Sequence, residues 1–562
     1  MTYTQRFPFA AFLLSVAIAV AVGGCGPVAS PRTPLAAAQV LHLNWGANPP
    51  DLNPITASDS ISFNVLAQTM EGLTRIGAGG RLRPGIASRW SVGPGGTTYT
   101  FHLRRAVWQD GRPVTAAEFR WAWLQALDPR NAAGYASQLH YLRGANALLA
   151  LRLPARQAHP RAYAAAVARI PALEAAVGVR ASGARTLVVR LTHPTPYWLA
   201  LTALPVYDPA QRSRVRAWGM RGYGSGPKHL LSDGPFYVSS WKPGVALDLA
   251  RNPRYWDAGG VHLTAVDGVM VGDAATTANL YRRGTLDALI PTIPAQEVRQ
   301  FQGQPGFHTQ AAAAAAFVEC NLTAGPLKNL AIRQALSLAV DRSAFARAVA
   351  GGGAQPAYAY TPPTVDYRPG KPFAPLVGHV LPVHAHPRRA RAALAAGLKA
   401  LGLARLPTLT LITYNVANGR EAAAALAAFW RQNLGVSVRV QTLDPATELA
   451  DVAAGRYQLA LSGWGADYND PTTFLNLWLP GSSFNATRWN NATYASDLRR
   501  AETASGRARG VDLAAAERRL LAALPVLPLD WPAQNWIARP NVRGLVMQLT
   551  GPQFYLRDVH LG

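Results

Sequence analysis

From Pro8 to Val22 the chain is an almost unbroken apolar run, preceded by Arg6 and closed by Gly23 and Gly24 ahead of Cys25. About fifteen apolar residues fall short of the roughly 20 that a membrane-spanning helix needs, so the run reads as a secretory signal over residues 1–24. Residues 25–38, rich in Pro, Ala and other small side chains, read as a flexible tether. Beyond it, strand and helix periods alternate to the end, and no later segment reaches spanning length free of charge.

Thr97 to Leu103 is β-rich. Thr115 and Glu118 have the spacing of a capping box and open a helix that runs to Leu127, where Asp128-Pro129 stops it. Asn329 to Val340 places Ile332, Ala335, Leu336 and Ala339 on one helical stripe, and Asp341 can cap the next helix. The clearest unit is strand, helix, strand. Leu409, Leu411 and Thr413 alternate with their neighbours; Glu421 to Asn433 carries Ala422, Leu426, Phe429 and Trp430 on one face. Gly435 stands where a helix ends, and Val436, Val438 and Val440 form the second strand. The short Ala311–Ala316 and Gly351–Gly353 runs read as filler or a hinge. Mixed α/β patterning over this length predicts at least two α/β lobes.

Charge changes the picture in one respect. Lys and Arg total 55 against 30 Asp and Glu, a net +25, although only 15% of residues are charged. The arginines are scattered and not interleaved with aromatics, so no specific nucleic-acid groove is expected. A surface poor in carboxylates suits an acidic exterior or an anionic envelope. Cys25 and Cys320 are the two cysteines; if Cys25 serves as an anchor, no intramolecular disulfide is possible and the core must supply the stability.

Enzyme signatures are missing. The chain has no phosphate loop, H-E-x-x-H, C-x-x-C or G-x-S-x-G. His379, His384 and His386 sit in a Pro-rich loop and do not make a metal site. No catalysis, cofactor or metal is expected.

Six blocks, in order, resemble solute-binding family 5, the oligopeptide-binding receptors of ABC importers. Glu71-Gly72-Leu73 with Pro84 to Ala87 and Trp90 comes first, then Tyr99 to Arg104 with Trp108 to Ala116. Asp233 to Phe236 with Arg251 to Trp256 follows, then Arg333 to Leu336 with Asp341-Arg342, and Pro356 to Pro363. Last is Gly463-Trp464-Gly465-Ala466-Asp467-Tyr468-Asn469-Asp470-Pro471 with Phe474-Leu475. The cysteine context Val22 to Cys25 is similar to a lipobox, although it lacks the usual Leu at the first position; it implies lipidation of Cys25.

The resemblance implies a two-lobed, periplasmic-binding-protein-like α/β fold of type II with an extra subdomain. Lobe one falls at 39–77, 206–313 and 530–562, the inserted subdomain at 78–205, and lobe two at 314–529. Asp467 takes the place of the Asp that binds the peptide's α-ammonium group. Trp464, Tyr468 and Gly463 belong to the same block. Glu319, Tyr135 and Ser60 match ligand-facing positions, Ser60 in the segment that pairs with the peptide as a strand. The arginine that family members often carry six residues before the Asp is Leu461 here, and the other carboxylate-binding positions fall near Val452 and Ala350. The expected protein is a monomeric, lipid-anchored receptor that hands oligopeptides to ABC permease subunits. A dipeptide, a metal chelate or a glycan as ligand, or an exported peptidase, are the alternatives.

Overall fold

In the strand Thr98–Leu103, alternation buries Tyr99, Phe101 and Leu103 on one face. That strand lies inside a four-stranded antiparallel sheet with Ala87–Val92, Thr186–Arg190 and Val179–Ala181. The helix Ala116–Leu127 covers the sheet with Phe119, Trp123 and Leu127, and the Glu118 carboxylate accepts the Thr115 N–H at 3.0 Å, as its capping spacing predicts. The computed structural model describes residues 39–77, 81–291, 293, 295–349, 352–415 and 419–562. Cys25, the signal and the tether lie outside these residues, as does Ala350.

A second four-stranded sheet pairs Val40–Asn44 in parallel with Ala265–Val269, then runs antiparallel through Ala246–Arg251 to Phe236–Lys242. Gly268 is required here. A Cβ on it would stand 1.9 Å from Nε1 of Trp45, which donates to the Leu247 carbonyl across the sheet.

A six-stranded mixed sheet carries the other half of the molecule, in the order Gln355–Pro356, Val526–Trp531, Ala314–Cys320, Leu459–Gly465, Leu409–Tyr414, Val438–Leu443. The strand–helix–strand unit forms as its periods demand: Leu409–Tyr414 pairs in parallel with Val438–Leu443, and the helix Gly419–Leu434 buries Ala422, Leu426 and Trp430. Gly435 ends that helix at φ 70°. The second strand is shorter than its valines suggest. Val436 is buried ahead of it, and Val440 is 36% exposed because this is an edge strand with only one neighbour. The helix Leu330–Leu338 is capped by Asn329, and Asp341 caps Arg342–Val349 through the Ala344 N–H at 2.7 Å.

A three-stranded sheet of Ala288–Leu289, Ala533–Ala538 and Phe307–Ala311 joins the halves. Its strands continue into the six-stranded sheet across Ala312-Ala313 and Pro532, where the Ala312 N–H meets the Pro532 carbonyl at 3.1 Å. The alanine run is therefore part of a strand crossing. One apolar core gathers side chains from 41–290 and 536–559 together with Tyr468, and includes Trp108, Trp123 and Trp198; another gathers the rest of 313–531 around Trp430 and Trp478. Trp464 and Phe484 pack against both. Among the described residues no helix is long and apolar enough to cross a membrane.

Candidate ligand site between the lobes

Where the strand Leu459–Gly465 ends, the Ala466 N–H donates to the Ala313 carbonyl at 2.7 Å and the chain turns. The turn is held from below. Arg509 grips Asp470 through two 2.8 Å contacts, and Asp470 accepts the Thr472 N–H at 3.0 Å. The Asp467 N–H donates to the Thr473 hydroxyl at 3.0 Å, which aims the carboxylate at the opposite lobe.

There it meets neutral donors. Tyr135 O–H reaches Oδ1 at 3.2 Å and Gln138 Nε2 reaches Oδ2 at 3.2 Å, both from the 78–205 segment. Asp467 is 6% exposed and has no cationic partner among the described residues. Burial pushes its carboxyl from 3.8 up to about 7, with the Tyr135 hydroxyl pulling the other way. Such a carboxylate is short of one positive charge.

Tyr135 is boxed by aromatics. Trp464 stacks on it at 5.8 Å, Phe484 meets it edge-on at 5.0 Å and Phe63 at 4.8 Å. Register places Glu319 opposite Ala460 and Ala315 opposite Trp464, so Glu319 and Trp464 share one face of the sheet. Glu319 is 6% exposed, its Oε2 has no partner among the described residues, and burial pushes its carboxyl up to about 7 against the pull of a Ser462 hydrogen bond. Glu448 adds a second acid; burial and the Glu319 charge push it up to about 8. Asp59, capping the helix Ser60–Thr69 in the facing lobe, is pushed by burial up to about 6.

The remaining sequence candidates fall elsewhere. Tyr468 is 1% exposed, stacked on Tyr197 at 4.4 Å with its hydroxyl 2.9 Å from that of Tyr141, so it fastens the two lobes together. Gly463 is exposed and, by alternation, on the face opposite Trp464. Ser60 is exposed and opens a helix, so no extended strand edge is offered at that residue. Leu461 is half-buried and pairs with Val318. Gln138, Phe484, Phe63, Glu448 and Asp59 escaped sequence reading. Gln138, one helical turn after Tyr135, and Asp59 and Phe63, beside Ser60 and one turn after it, stood next to a candidate. Among the described residues no group of His, Cys, Asp and Glu could hold a metal ion; His379 stacks on Tyr358 and His384 faces Asp341.

Two lobes joined by crossing strands, with a buried carboxylate and an aromatic box between them, define a two-lobed binding protein. The model of the bacterial extracellular solute-binding proteins, family 5, matches residues 81–486. The oligopeptide-binding protein OppA of Bacillus subtilis is 31% identical over 96% of this chain and 95% of its own length. The chain belongs to solute-binding family 5, with the periplasmic-binding-protein-like fold of that family. The structure of Listeria monocytogenes OppA bound to peptide superposes with a TM-score of 0.84 at 25% identity, covering 94% of this chain and 99% of that one.

One comparison fixes the state of the lobes. Escherichia coli murein tripeptide-binding MppA, 25% identical and covering 94% of this chain, gives a TM-score of 0.82 in one structure and 0.58 in its unliganded open form, over 99% and 98% of those chains. The lobes of the present structure are closed.

Proposed function

We propose that this chain is the extracytoplasmic receptor of an ABC importer, which closes its two lobes on an oligopeptide and presents the closed form to the permease. The observation that carries the reading is Asp467: a buried interlobe carboxylate with neutral donors only, in the block that resembles the ammonium-binding block of the family. A peptide α-ammonium supplies the missing charge and forms charge-assisted hydrogen bonds. The peptide lies extended between lobes at 39–77, 206–313 and 530–562 and at 314–529, with the segment 78–205 closing over its N-terminal end. Its backbone is gripped in the manner of an added strand, and bridging waters accommodate varied side chains. Trp464 and Tyr135 wall the ammonium pocket, and Glu319 faces the ligand from the same sheet. Ligand binding favours the closed state, which the importer reads. The receptor performs no chemistry on its ligand. Lipidation of Cys25 holds it, as a monomer, at the outer face of the cell membrane.

Mass spectrometry of ligand released by denaturing the purified protein tests this. Peptides with free N-termini are expected; a metal chelate or a glycan as the sole released ligand contradicts it.

A further inference from the structure

Nearly half of the net +25 lies in residues 78–205, which hold 16 arginines, no lysine and four acids. All four acids are occupied. Asp110 faces Arg112, Arg214 and Gln211, Glu118 caps its helix, and Asp128 meets Arg130 at 2.5 Å. Glu174 lies near the charges of Asp128, Arg130 and Arg120. None of the four sits in the strands of the sheet that this segment builds.

One face of that sheet lies under the helix Ala116–Leu127, and the other is turned to solvent. Register sets Ser91, Thr100, Val188 and Arg180 in one row across the outer face, and Thr98 with Arg190 in the next. Gly178 stands beside Arg190, whose N–H its carbonyl accepts at 2.7 Å. A Cβ on Gly178 would lie 3.0 Å from the Cβ of Arg143 and 3.1 Å from that of Arg190, so the bare glycine lets these two arginines spring from neighbouring points. Arg143, Arg180 and Arg190 are all exposed, and among the described residues none has a side-chain hydrogen bond or ion pair. Like charges gathered without a counter-charge repel one another, and an anion laid against them relieves the repulsion.

We propose that this outer sheet face docks on an anionic lipid surface, with Arg143, Arg180 and Arg190 on the headgroup phosphates. A guanidinium keeps its charge at any working pH, and its planar fork of donors matches a phosphate's oxygens. The Thr98 and Thr100 hydroxyls beside the arginines add further donors. Four strands make a face about 14 Å across that presents its donors side by side, as a plane of separate headgroups requires. Docking orients the receptor on the bilayer, which a lipid anchor alone does not. The proposal rests on the reading that the chain works at a membrane, and it is independent of what the cleft binds.

The probe is vesicles of phosphatidylcholine with one-third phosphatidylglycerol, against phosphatidylcholine alone. They are sedimented with the mature chain carrying Cys25→Ser, so that no lipid anchor contributes. At an ionic strength where charges are screened beyond about 10 Å, this parent should bind the anionic vesicles, ignore the neutral ones and leave in high salt. Arg143→Gln, Arg180→Gln and Arg190→Gln together should weaken binding on the order of a hundredfold, about fivefold per arginine; the single changes serve if the triple variant does not fold. Arg388→Gln, Arg389→Gln and Arg405→Gln make the same charge change at exposed positions of the other lobe and should cost less than about fivefold in all. No binding of the parent to anionic vesicles, equal losses in the two triple variants, or retention on heparin without vesicle binding overturns the proposal. Those results leave the anchor standing, since release of Cys25→Ser protein from membranes after a high-salt wash tests it separately.

Discussion

Replacing Asp467 with Asn should close the receptor in the absence of ligand. In the closed form the carboxyl is held at about 7 by burial, against an ordinary 3.8. At 1.36 kcal/mol per pH decade, closing the lobes over an ionised Asp467 costs up to about 4 kcal/mol, a factor of ~10³ in the closed-to-open ratio. Opening wets the carboxylate and removes that cost, and so does a ligand ammonium placed beside it. The sign follows from proton uptake. The closed form binds the proton more tightly, so closure is most favoured below pH 3.8 and that advantage is lost as pH rises through 7. The amide that Asp467→Asn introduces cannot ionise and should shift the empty protein toward the closed form at pH 8. Small-angle scattering of ligand-free protein at pH 8 and pH 5 reads this as a smaller radius of gyration for Asp467→Asn at pH 8. Wild type should be open at pH 8 and contract at pH 5 or on adding peptide. Any pH response left in the variant is assigned to the other acids described at the site, Glu319, Glu448 and Asp59, held at about 7, about 8 and about 6 and acting in the same direction. Identical scattering of variant and wild type at pH 8 without ligand, or a wild type already closed there, refutes the reasoning.

Cys25→Ser should release the mature protein from membranes, because several lipid chains hold firmly where one does not; retention after a high-salt wash rejects the anchor. Arg509→Ala leaves Asp470 buried without its bidentate partner and should cost about 3–5 kcal/mol in urea unfolding. A loss below about 1 kcal/mol would show that water replaces the guanidinium. Amidating the peptide's C-terminus should change affinity less than roughly tenfold, since Leu461 offers no charge at the position where related receptors often carry an arginine; a larger loss, read by calorimetry, reveals a carboxylate anchor elsewhere.

Much of the fold could be read from local pattern. The capping spacing of Thr115 and Glu118, the stripe through Ile332 and Leu336, and the unit from Leu409 to Val440 depend on neighbours two to four residues away, and they formed, except that the unit's second strand begins at Val438 and leaves out Val436. The site is another matter. Asp467 was visible because its block is contiguous, but the groups around it arrive from far along the chain: Tyr135 and Gln138 lie 332 and 329 residues away. Tyr468 was grouped with the ligand because it follows Asp467. Its partners Tyr141 and Tyr197, which make it a fastening between lobes, could be found only from the fold. Glu448 is an ordinary helical acid in sequence, and only burial beside Glu319 gives it chemical significance.

The central claim is that Asp467 receives a free α-amino group, and N-terminal acetylation of the ligand tests it most directly. Acetylation removes the positive charge and leaves a buried carboxylate unpaired, a loss of roughly 3–5 kcal/mol, or about two to four orders of magnitude in affinity. Calorimetry of one peptide in free and acetylated form, against wild type and Asp467→Asn at pH 7.5 or above, should show that loss in wild type and much less of it in the variant. Equal losses in the two proteins, or none in wild type, contradict the assignment.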